Sequence, residues 1–448
     1  MTQDSPHLTN RFTNRCSYRL PRRDFLWSAL GATAFMATTS WVRAPAVMSG
    51  EKPHVTMLSW NNFVPETDVE LRRQAEDYTK HAGVQVTVDF IAHLQLPAKT
   101  AAEAQAQSGH DIIFFLRPQE VGLYNNQLID LTDLVAEFKD TNGGYYPWIK
   151  DYLEFNGVWR AIPWFTGGGF LGCYNETTFK RYGVPVPDTW EDLKKSGKAL
   201  KQHGHPAGVA ISHCLDANST FWYVLWCYGG KVLEEDGKTV AIKSDVTTQV
   251  LEFYKEFYMD AMEPDVLSWD DASNNRYLLS GKGSWVHNPI SIYNVAKSKN
   301  MPIAHDINHH LTPRGPAGRF MAAEVQSLGI WKFSKQPEEA KKFIRYIFEP
   351  ENFNRWIEAA AGYNTGPQRG YAQHPLWARD PKITMVPTQL DFGRPYGWPA
   401  RPGPAIGEID HTFVLPDMVA KVVSGVSIAE AMTWCEEQIA KIVKSHRT

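Results

Sequence analysis

Short apolar runs alternate with amphipathic stretches along the first third of the chain. Residues 55–60 and 84–90 predict strands, and in 84–90 the apolar side chains alternate with polar ones, so that one face is buried. Residues 111–116 form an almost unbroken apolar run, typical of a parallel strand buried on both faces. Helical patterns over about 69–81 and 97–107 separate these strands. This order predicts an open α/β sheet, in which ligands bind beyond the carboxyl ends of the strands.

Local signals predict further elements in the later chain. An Asn-Gly pair at 156–157 stands between two apolar-rich runs and predicts a β-hairpin. Thr189 followed by Asp192 predicts a capped helix start, and residues 428–444 carry one apolar stripe along a helix. Residues 364–407 are rich in Pro and Gly, and a loop of that length usually indicates function or disorder.

The segment 162–176 holds Trp164 and Phe165, followed by three consecutive glycines. Glycine reaches backbone angles that other residues avoid. This segment therefore predicts a bend where the chain first crosses between two lobes that close over a ligand. Residues 281–289 predict a second crossing, and the end of another strand near Glu324 predicts a third.

The N-terminal residues predict an export signal rather than a part of the fold. Arg22 and Arg23 precede an apolar run, and small residues follow at 44–46, which is the layout of a twin-arginine signal cleaved at that point. Pro21 and Trp27 depart from the usual pattern. We expect a periplasmic protein, and the later sequence has no run of about 18 apolar residues that could span a membrane.

Composition and charge narrow the class of partner. The chain has 448 residues with a net charge of −3, and without residues 1–46, which hold six Arg and two Asp, the net charge is −7. An acidic body argues against nucleic acid or an anionic membrane as partner. The cysteines after residue 46 show no C-x-x-C spacing, and we expect buried free thiols, with a Cys214–Cys227 bridge as the alternative.

Catalytic and metal-binding motifs are weak in this sequence. G-x-S-x-G, H-E-x-x-H and the phosphate-binding loop with its lysine do not occur. His305, His309 and His310 have no partner at ligand spacing, so we expect surface histidines and neither a metal nor a cofactor. A pair of carboxylates for glycoside hydrolysis remains open, because Asp and Glu are plentiful.

Six short pieces of sequence, in this order, carry a family resemblance. They are Ser108-Gly-His-Asp-Ile-Ile, Ile162-Pro-Trp with Tyr174-Asn-Glu, Val186-Pro-Asp-Thr-Trp-Glu-Asp-Leu, Leu279-Ser-Gly-Lys-Gly-Ser-Trp, Pro337-Glu-Glu-Ala-Lys-Lys-Phe and Val426-Ser-Ile-Ala-Glu-Ala. With them the chain resembles bacterial extracellular solute-binding proteins of the sugar-binding, maltose-binding-like family, the periplasmic partners of ABC importers.

The resemblance implies a type II periplasmic-binding-protein fold, with two α/β lobes joined by three crossings and closing as a hinge. Matched to the predicted crossings, one lobe is 52–164 with 286–324 and the other is 165–285 with 325–448. It also implies a monomer that delivers its solute to an ABC transporter permease. The turns at 60–62 and 117–119 lack the carboxylates that some sugar binders place there.

A sugar site needs flat aromatic faces for C–H groups and a few fixed donors and acceptors for hydroxyls. The aromatic candidates at the predicted lobe edges are Trp60, Trp164, Trp222, Trp269, Trp285, Tyr363 and Trp398. The polar candidates are Asn61, Arg117, Gln119, Thr166, Asp270, Asn288, Glu324 and Arg401. Each Trp has a packing role as its alternative, and each of the two arginines could instead hold an anionic group or be a solvated surface charge.

Three functions remain open at this point. The first is a sugar or sugar-derivative binding protein, favoured by aromatic faces with mixed polar groups. The second is the same fold binding a polyamine or another small polar or anionic solute, and a carboxylate-rich site would favour a cation. The third is an exported enzyme. If Trp164 and Trp285 face the ligand, replacing either by Ala should weaken binding more than folding.

Overall fold

Two separate β-sheets organise residues 52–446, the part of the chain that the computed structural model describes. The predicted export signal lies outside this part. The strands are β1 (His54–Trp60), β2 (Gln85–Ile91), β3 (Ile112–Phe115), β4 (Glu154–Phe155), β5 (Val158–Trp159), β6 (Ile162–Gly167), β7 (Leu171–Asn175), β8 (Ala207–Gly208), β9 (Trp285–Asn288), β10 (Ile307–His310), β11 (Met321–Ala322), β12 (Val325–Ile330), β13 (Asn364–Thr365) and β14 (Gly393–Arg394).

Helices cover both sheets. They are α1 (Glu66–Ala82), α2 (Leu96–Ala106), α3 (Glu120–Tyr124), α4 (Thr132–Phe138), α5 (Ile149–Leu153), α6 (Glu176–Arg181), α7 (Trp190–Gln202), α8 (Leu215–Tyr228), α9 (Asp245–Ala261), α10 (Ser273–Leu279), α11 (Ser291–Ser298), α12 (Pro337–Phe348), α13 (Pro350–Ala359), α14 (Val386–Gln389), α15 (Pro404–His411), α16 (Val414–Val423) and α17 (Ile428–Ser445). Short 3-10 turns lie between several of them.

The first sheet has the strand order β13-β6-β12-β3-β1-β2. Strand β1 is parallel to both β2 and β3, and β12 is antiparallel to β3 and β6. All four residues of β3 are buried, as its apolar run predicts. The α/β sheet expected from the first third of the chain is confirmed, and α12 and α13 pack beside α1 on it.

The second sheet has the order β10-β7-β9-β8. Its helices include α7, α8 and α9, which pack on one another. Thr189 accepts from the backbone N–H of Asp192 and donates its own N–H to the Asp192 carboxylate, so the predicted capped start is confirmed. The predicted hairpin is also confirmed, because β4 pairs with β5 and both turn residues, Asn156 and Gly157, have positive φ.

The glycine segment joins the two sheets. The chain leaves the first sheet at Gly167 and enters the second at Leu171. Gly169 has φ 70°, and a Cβ there would lie 2.7 Å from the Met321 methyl carbon. The return passage, residues 311–324, therefore runs directly beside the outward one.

Tyr223 of α8 holds these two passages together. Its hydroxyl accepts from the Phe170 backbone N–H at 2.9 Å and donates to the Ala322 carbonyl at 3.4 Å. After β13 the chain reaches α15, α16 and α17, and the last two pack against α9 beside the second sheet. Motion between the sheets would therefore bend the passages at Tyr223.

Strand pairing corrects the predicted lobe boundaries. β9 and β10 both pair with β7, so residues 286–310 stay with the second sheet rather than joining the first. β12 pairs with β3 and β6, so residues 325–330 belong to the first sheet. The predicted crossing at 281–289 is wrong because an apolar strand sequence does not specify its partner strand.

Four cysteines are buried free thiols, which confirms the expectation and excludes a Cys214–Cys227 bridge in this structure. Burial raises the pKa of the Cys214 thiol to about 12. The expectation of surface histidines is wrong for His309, which is buried in β10 and whose pKa burial lowers to about 4. Within residues 52–446 no helix is long and apolar enough to cross a membrane.

Candidate functional site

Buried and half-buried polar side chains gather between the two sheets. We call them the central polar group: Arg117, Gln119, Asp216, Asn218, Trp222, Glu324, Tyr363, Tyr396 and Asp410. Arg117 and Gln119 follow β3 of the first sheet, at the carboxyl edge where the sequence predicts a ligand. Asp216, Asn218 and Trp222 belong to α8 beside the second sheet, and Glu324 lies on the return passage between β11 and β12.

Asp410 of α15 connects the two sides. Its Oδ2 accepts from Gln119 Nε2 at 2.9 Å, and its Oδ1 accepts from Asn218 Nδ2 at 2.5 Å and Trp222 Nε1 at 3.2 Å. Burial raises the pKa of this carboxyl, while the charge of Arg117 opposes the rise. Three donors therefore fix the orientation of the Asp410 carboxylate.

Glu324 is held by a chain of hydroxyl groups. The Tyr396 hydroxyl donates to Glu324 Oε1 at 2.9 Å and also lies 2.8 Å from the Ser219 hydroxyl. The Tyr152 hydroxyl accepts from the Tyr396 backbone N–H and donates to the Ala323 carbonyl at 3.0 Å. Burial raises the pKa of Glu324, and the negative charge of Asp410 adds to the rise.

Asp216 lies in the first turn of α8. Its Oδ2 accepts from Asn274 Nδ2 at 2.5 Å, and its backbone N–H donates to the Asp271 carboxylate at 3.0 Å. Burial raises the pKa of Asp216 well above its ordinary value, and the charges of Asp271 and Glu324 raise it further. These acidic groups are therefore close enough to repel one another.

Several buried polar atoms of this group have no hydrogen-bond partner within residues 52–446. They are Arg117 Nη1, Gln119 Oε1 and Asn218 Oδ1. Unpaired buried polar atoms are costly in folded proteins, and such atoms can take a partner from outside the chain, such as an ordered water, an ion or a ligand. The group thus offers one donor and two acceptors to a molecule from outside the chain.

Aromatic rings stand around the polar groups. Burial raises the pKa of Tyr363, and the nearby charges of Glu324 and Asp216 raise it further. Phe63 is 49 % exposed. Its ring forms T-shaped contacts with Tyr363, with ring centres 6.3 Å apart, and with Trp60, with ring centres 5.4 Å apart. On another side, the Arg394 guanidinium lies 3.5 Å from the centre of the half-buried Trp398 ring.

Two of the predicted aromatic contacts lie in cores instead. Trp164 is buried against Phe165 and Trp356 in the first sheet's core. Trp285 is fully buried in the second sheet and donates its indole N–H to His310 Nε2 at 2.8 Å. The expectation that their loss would affect binding more than folding has no support from these positions.

The remaining predicted residues are spread more widely. Asn274 connects Asn288 to Asp216, because its Nδ2 donates to Asn288 Oδ1 and to Asp216 Oδ2. Trp269 packs on Tyr277. Asp270 is exposed and bonded to Ser273 and Arg276. Arg401 is exposed and donates to the Glu154 carbonyl. Asn61 is exposed, and Thr166 is buried with a hydroxyl that has no partner among residues 52–446.

Sequence reasoning missed Phe63, Asp216, Asn218, Tyr396 and Asp410. Phe63 could have been found, because it comes just after the strand end at Trp60. Asp216 and Asn218 lie at the start of α8, where no sequence motif marks them, and Asp410 lies 291 residues from its partner Gln119. Only the tertiary structure brings these together.

A surface groove of about 640 Å³ lies elsewhere, beside α4 and α12, where Phe138, Phe348 and Tyr371 contribute to its walls. None of the central polar group borders this groove. Within residues 52–446 no three Asp, Glu, His or Cys side chains are grouped so that they could hold a metal ion. The central polar group is therefore the better candidate site.

Solved structures share this arrangement across most of the chain. A solute-binding protein of an ABC transporter from Thermotoga lettingae, bound to α-D-tagatose, has 18 % identity and a TM-score of 0.75, covering 88 % of this chain and all of that one. One from Agrobacterium radiobacter in complex with ribitol has 20 % identity and a TM-score of 0.72, covering 87 % and 98 %. A maltose-bound protein from T. maritima has 21 % identity and a TM-score of 0.70, covering 88 % and 99 %.

The fold is therefore that of two-lobed periplasmic binding proteins, as predicted. A probable ABC transporter-binding protein of Deinococcus radiodurans is 24 % identical over 300 residues, which are 62 % of this chain and 68 % of that one. The family profile of bacterial extracellular solute-binding proteins matches residues 73–385, and the chain belongs to this family.

Proposed function

We propose that this protein binds a sugar or polyol at the central polar group and presents it to an ABC transporter permease in the periplasm, as a monomer. The observation that supports this most is the set of buried, unpaired polar atoms contributed from both sides, Gln119 Oε1 and Arg117 Nη1 beside the first sheet and Asn218 Oδ1 beside the second. Solved proteins of the same fold contain tagatose, ribitol or maltose.

The side chains suit a polyhydroxylated ligand. A hydroxyl both donates and accepts, so it can satisfy the unpaired Arg117 donor and the unpaired amide oxygens at the same time. The rings of Tyr363 and Phe63 offer apolar faces to the C–H groups of a sugar.

Closure would follow from contacts on both sides. A solute that touches Gln119 and Asn218 at once stabilises the form in which the sheets approach. The passages at 168–170 and 311–324, joined by Tyr223, supply the hinge.

The hydrogen bonds of Asp410 argue against a role for this one carboxylate in glycoside hydrolysis. Glycoside hydrolysis needs two carboxylates, one of them free to attack or to activate water. Both oxygens of Asp410 already accept from side chains, so this carboxylate is not free for that role.

A thermal-shift screen of the full chain against monosaccharides, disaccharides and polyols tests the proposal, because a ligand that binds only the folded state raises the melting temperature. We expect at least one member to raise it by several degrees, and small-angle scattering to show a smaller radius of gyration on saturation. If no sugar or polyol shifts the melting curve, the proposal is wrong. A hit with unchanged scattering would argue against hinge closure alone.

A further inference from the structure

We propose that the solute carries a protonated amine, bound between Glu324 and Asp216 beside the ring of Tyr363. This inference rests on the proposed function and names the chemical class of its ligand, an amino sugar or amino polyol.

Negative charge exceeds positive charge at the centre of the site. The Tyr396 hydroxyl bonds both Glu324 Oε1, at 2.9 Å, and the Ser219 hydroxyl, at 2.8 Å, and Asp216 lies three residues before Ser219 on the same face of α8. The charges of Asp271 and Glu324 also act on Asp216, and the charge of Asp410 acts on Glu324. Arg117 is the cation that acts on both Glu324 and Asp410. His411 adds positive charge beside Asp410, so Arg117 and His411 only partly balance the four carboxylates, and the site can accept a further cation.

Glu324 and Asp216 each keep one oxygen without a donor among residues 52–446. Glu324 Oε1 accepts from Tyr396, and Asp216 Oδ2 accepts from Asn274, so Glu324 Oε2 and Asp216 Oδ1 remain. Asp410 differs, because side chains occupy both of its oxygens. A ligand cation therefore meets Glu324 and Asp216 rather than Asp410.

The unpaired amide oxygens are a separate observation that points the same way. Gln119 is 2 % and Asn218 1 % exposed, and each gives its amide NH2 to Asp410. Because the oxygen and nitrogen of an amide share one carbon, both unpaired oxygens lie close to Asp410, and Asn218 lies two residues after Asp216 in α8. An ammonium group brings three donors and no acceptor, so it matches this surplus of acceptors better than a hydroxyl does.

Tyr363 and Arg117 complete the match. The charges of both Glu324 and Asp216 act on Tyr363, so this residue lies near both carboxylates, and an aromatic ring attracts a cation. Arg117 Nη1 is a buried donor without a partner, which suits a hydroxyl oxygen on the same solute. These two contacts favour an amine on a hydroxylated body over a simple polyamine.

Calorimetric titration of the full chain with matched solute pairs tests this inference. The pairs are glucosamine with glucose, galactosamine with galactose, and fully deacetylated chitobiose with cellobiose, and putrescine serves as an amine without hydroxyls. We expect the amine of at least one pair to bind at least about tenfold more tightly than its hydroxyl partner. Glu324→Gln and Asp216→Asn should each remove this preference, whereas Glu351→Gln, which alters an exposed carboxylate on α13, should keep it. Melting curves of each variant confirm folding.

The possible results distinguish a failure of this inference from a failure of the proposed function. Equal or tighter binding of the hydroxyl members, or a preference that survives in both site variants, overturns the inference and leaves sugar binding intact. Stabilisation by calcium or magnesium chloride alone also overturns it. Putrescine binding more tightly than every hydroxylated solute would support the ammonium site and overturn the sugar or polyol proposal. If no solute of this panel binds while the thermal-shift screen finds another sugar or polyol, the inference fails and the proposed function stands.

Discussion

Trp164 shows how a residue at a predicted strand end can be a core residue. It follows the hairpin at the start of the glycine segment, but its ring packs on Phe114, Phe165 and Trp356. Phe63, three residues after Trp60, is the aromatic side chain that is exposed near Tyr363. We therefore expect substitution of Trp164 to affect mainly stability, and substitution of Phe63 to affect mainly solute binding.

We expect Trp164→Ala to lower the free energy of unfolding by roughly 3–5 kcal/mol, because it removes a large buried ring and leaves a cavity. Phe63→Ala, the exposed control, should cost less than about 1 kcal/mol and weaken solute binding. Thermal melts and titration calorimetry of both variants measure this. An unaltered melting curve for Trp164→Ala would place its ring outside the core.

Glu120 gives a pH-dependent prediction. Burial raises the pKa of this carboxyl to about 7, against the opposing charge of Arg117, and its Oε1 has no partner among the described residues. Because the folded state holds the proton more tightly than the unfolded state, stability falls as the pH rises from about 4.5 to about 7, by on the order of 3 kcal/mol.

Glu120→Gln should remove this loss, since an amide does not ionise. The variant should therefore melt at a higher temperature than the parent at pH 8 and at a similar temperature at pH 4. Melting curves at both pH values decide. If the variant melts higher than the parent by the same amount at both pH values, titration of Glu120 is not the cause.

At the scale of elements, the glycine segment predicts a measurable backbone effect. Gly169 and Gly157 both have positive φ, but a Cβ on Gly157 meets nothing within 4 Å, whereas one on Gly169 overlaps Met321 and approaches the Tyr223 hydroxyl. Each change to Ala costs about 1 kcal/mol for the backbone conformation. Gly169→Ala should lower the melting temperature further, because two passages between the sheets must also move apart.

Gly157→Ala is the matched control for this experiment. It should leave solute affinity unchanged, while Gly169→Ala should alter it through the hinge. If both variants lower the melting temperature equally and bind solute with equal affinity, the Met321 side chain moves away from the new Cβ without a further effect on stability or binding.

Elements defined by nearby residues could be predicted from the sequence, and those defined by distant partners could not. The apolar run of β3, the hairpin at Asn156 and the helix cap at Thr189 depend on local patterns, and the structure contains all three. The pairing of β9 with β7 depends on residues more than 100 positions apart. For the same reason Arg117, Gln119, Glu324 and Tyr363 could be proposed singly, but their meeting with Asp410 could not.

At the scale of the whole molecule, Gln119 links the side of the first sheet to α15. Its amide donates to Asp410, which also accepts from Asn218 and Trp222 of α8. Gln119→Ala should favour a more open molecule, because it removes one bond between the two sides and leaves the other donors in place. We expect a larger radius of gyration in solution scattering.

Gln127→Ala is the control, since its side chain bonds to Gln107 on the same side of the molecule. It should leave the scattering curve unchanged. Identical curves for the Gln119 variant and the parent would mean that this bond does not hold the two sides together.

The four buried thiols bear on how the protein matures. Because Cys173, Cys214, Cys227 and Cys435 are unpaired, the tertiary structure of residues 52–446 needs no oxidant to form. The chain can therefore complete its folding in a reducing cytosol, and dithiothreitol should leave its melting temperature unchanged. Material made inside the cell and material recovered after secretion should be the same native protein.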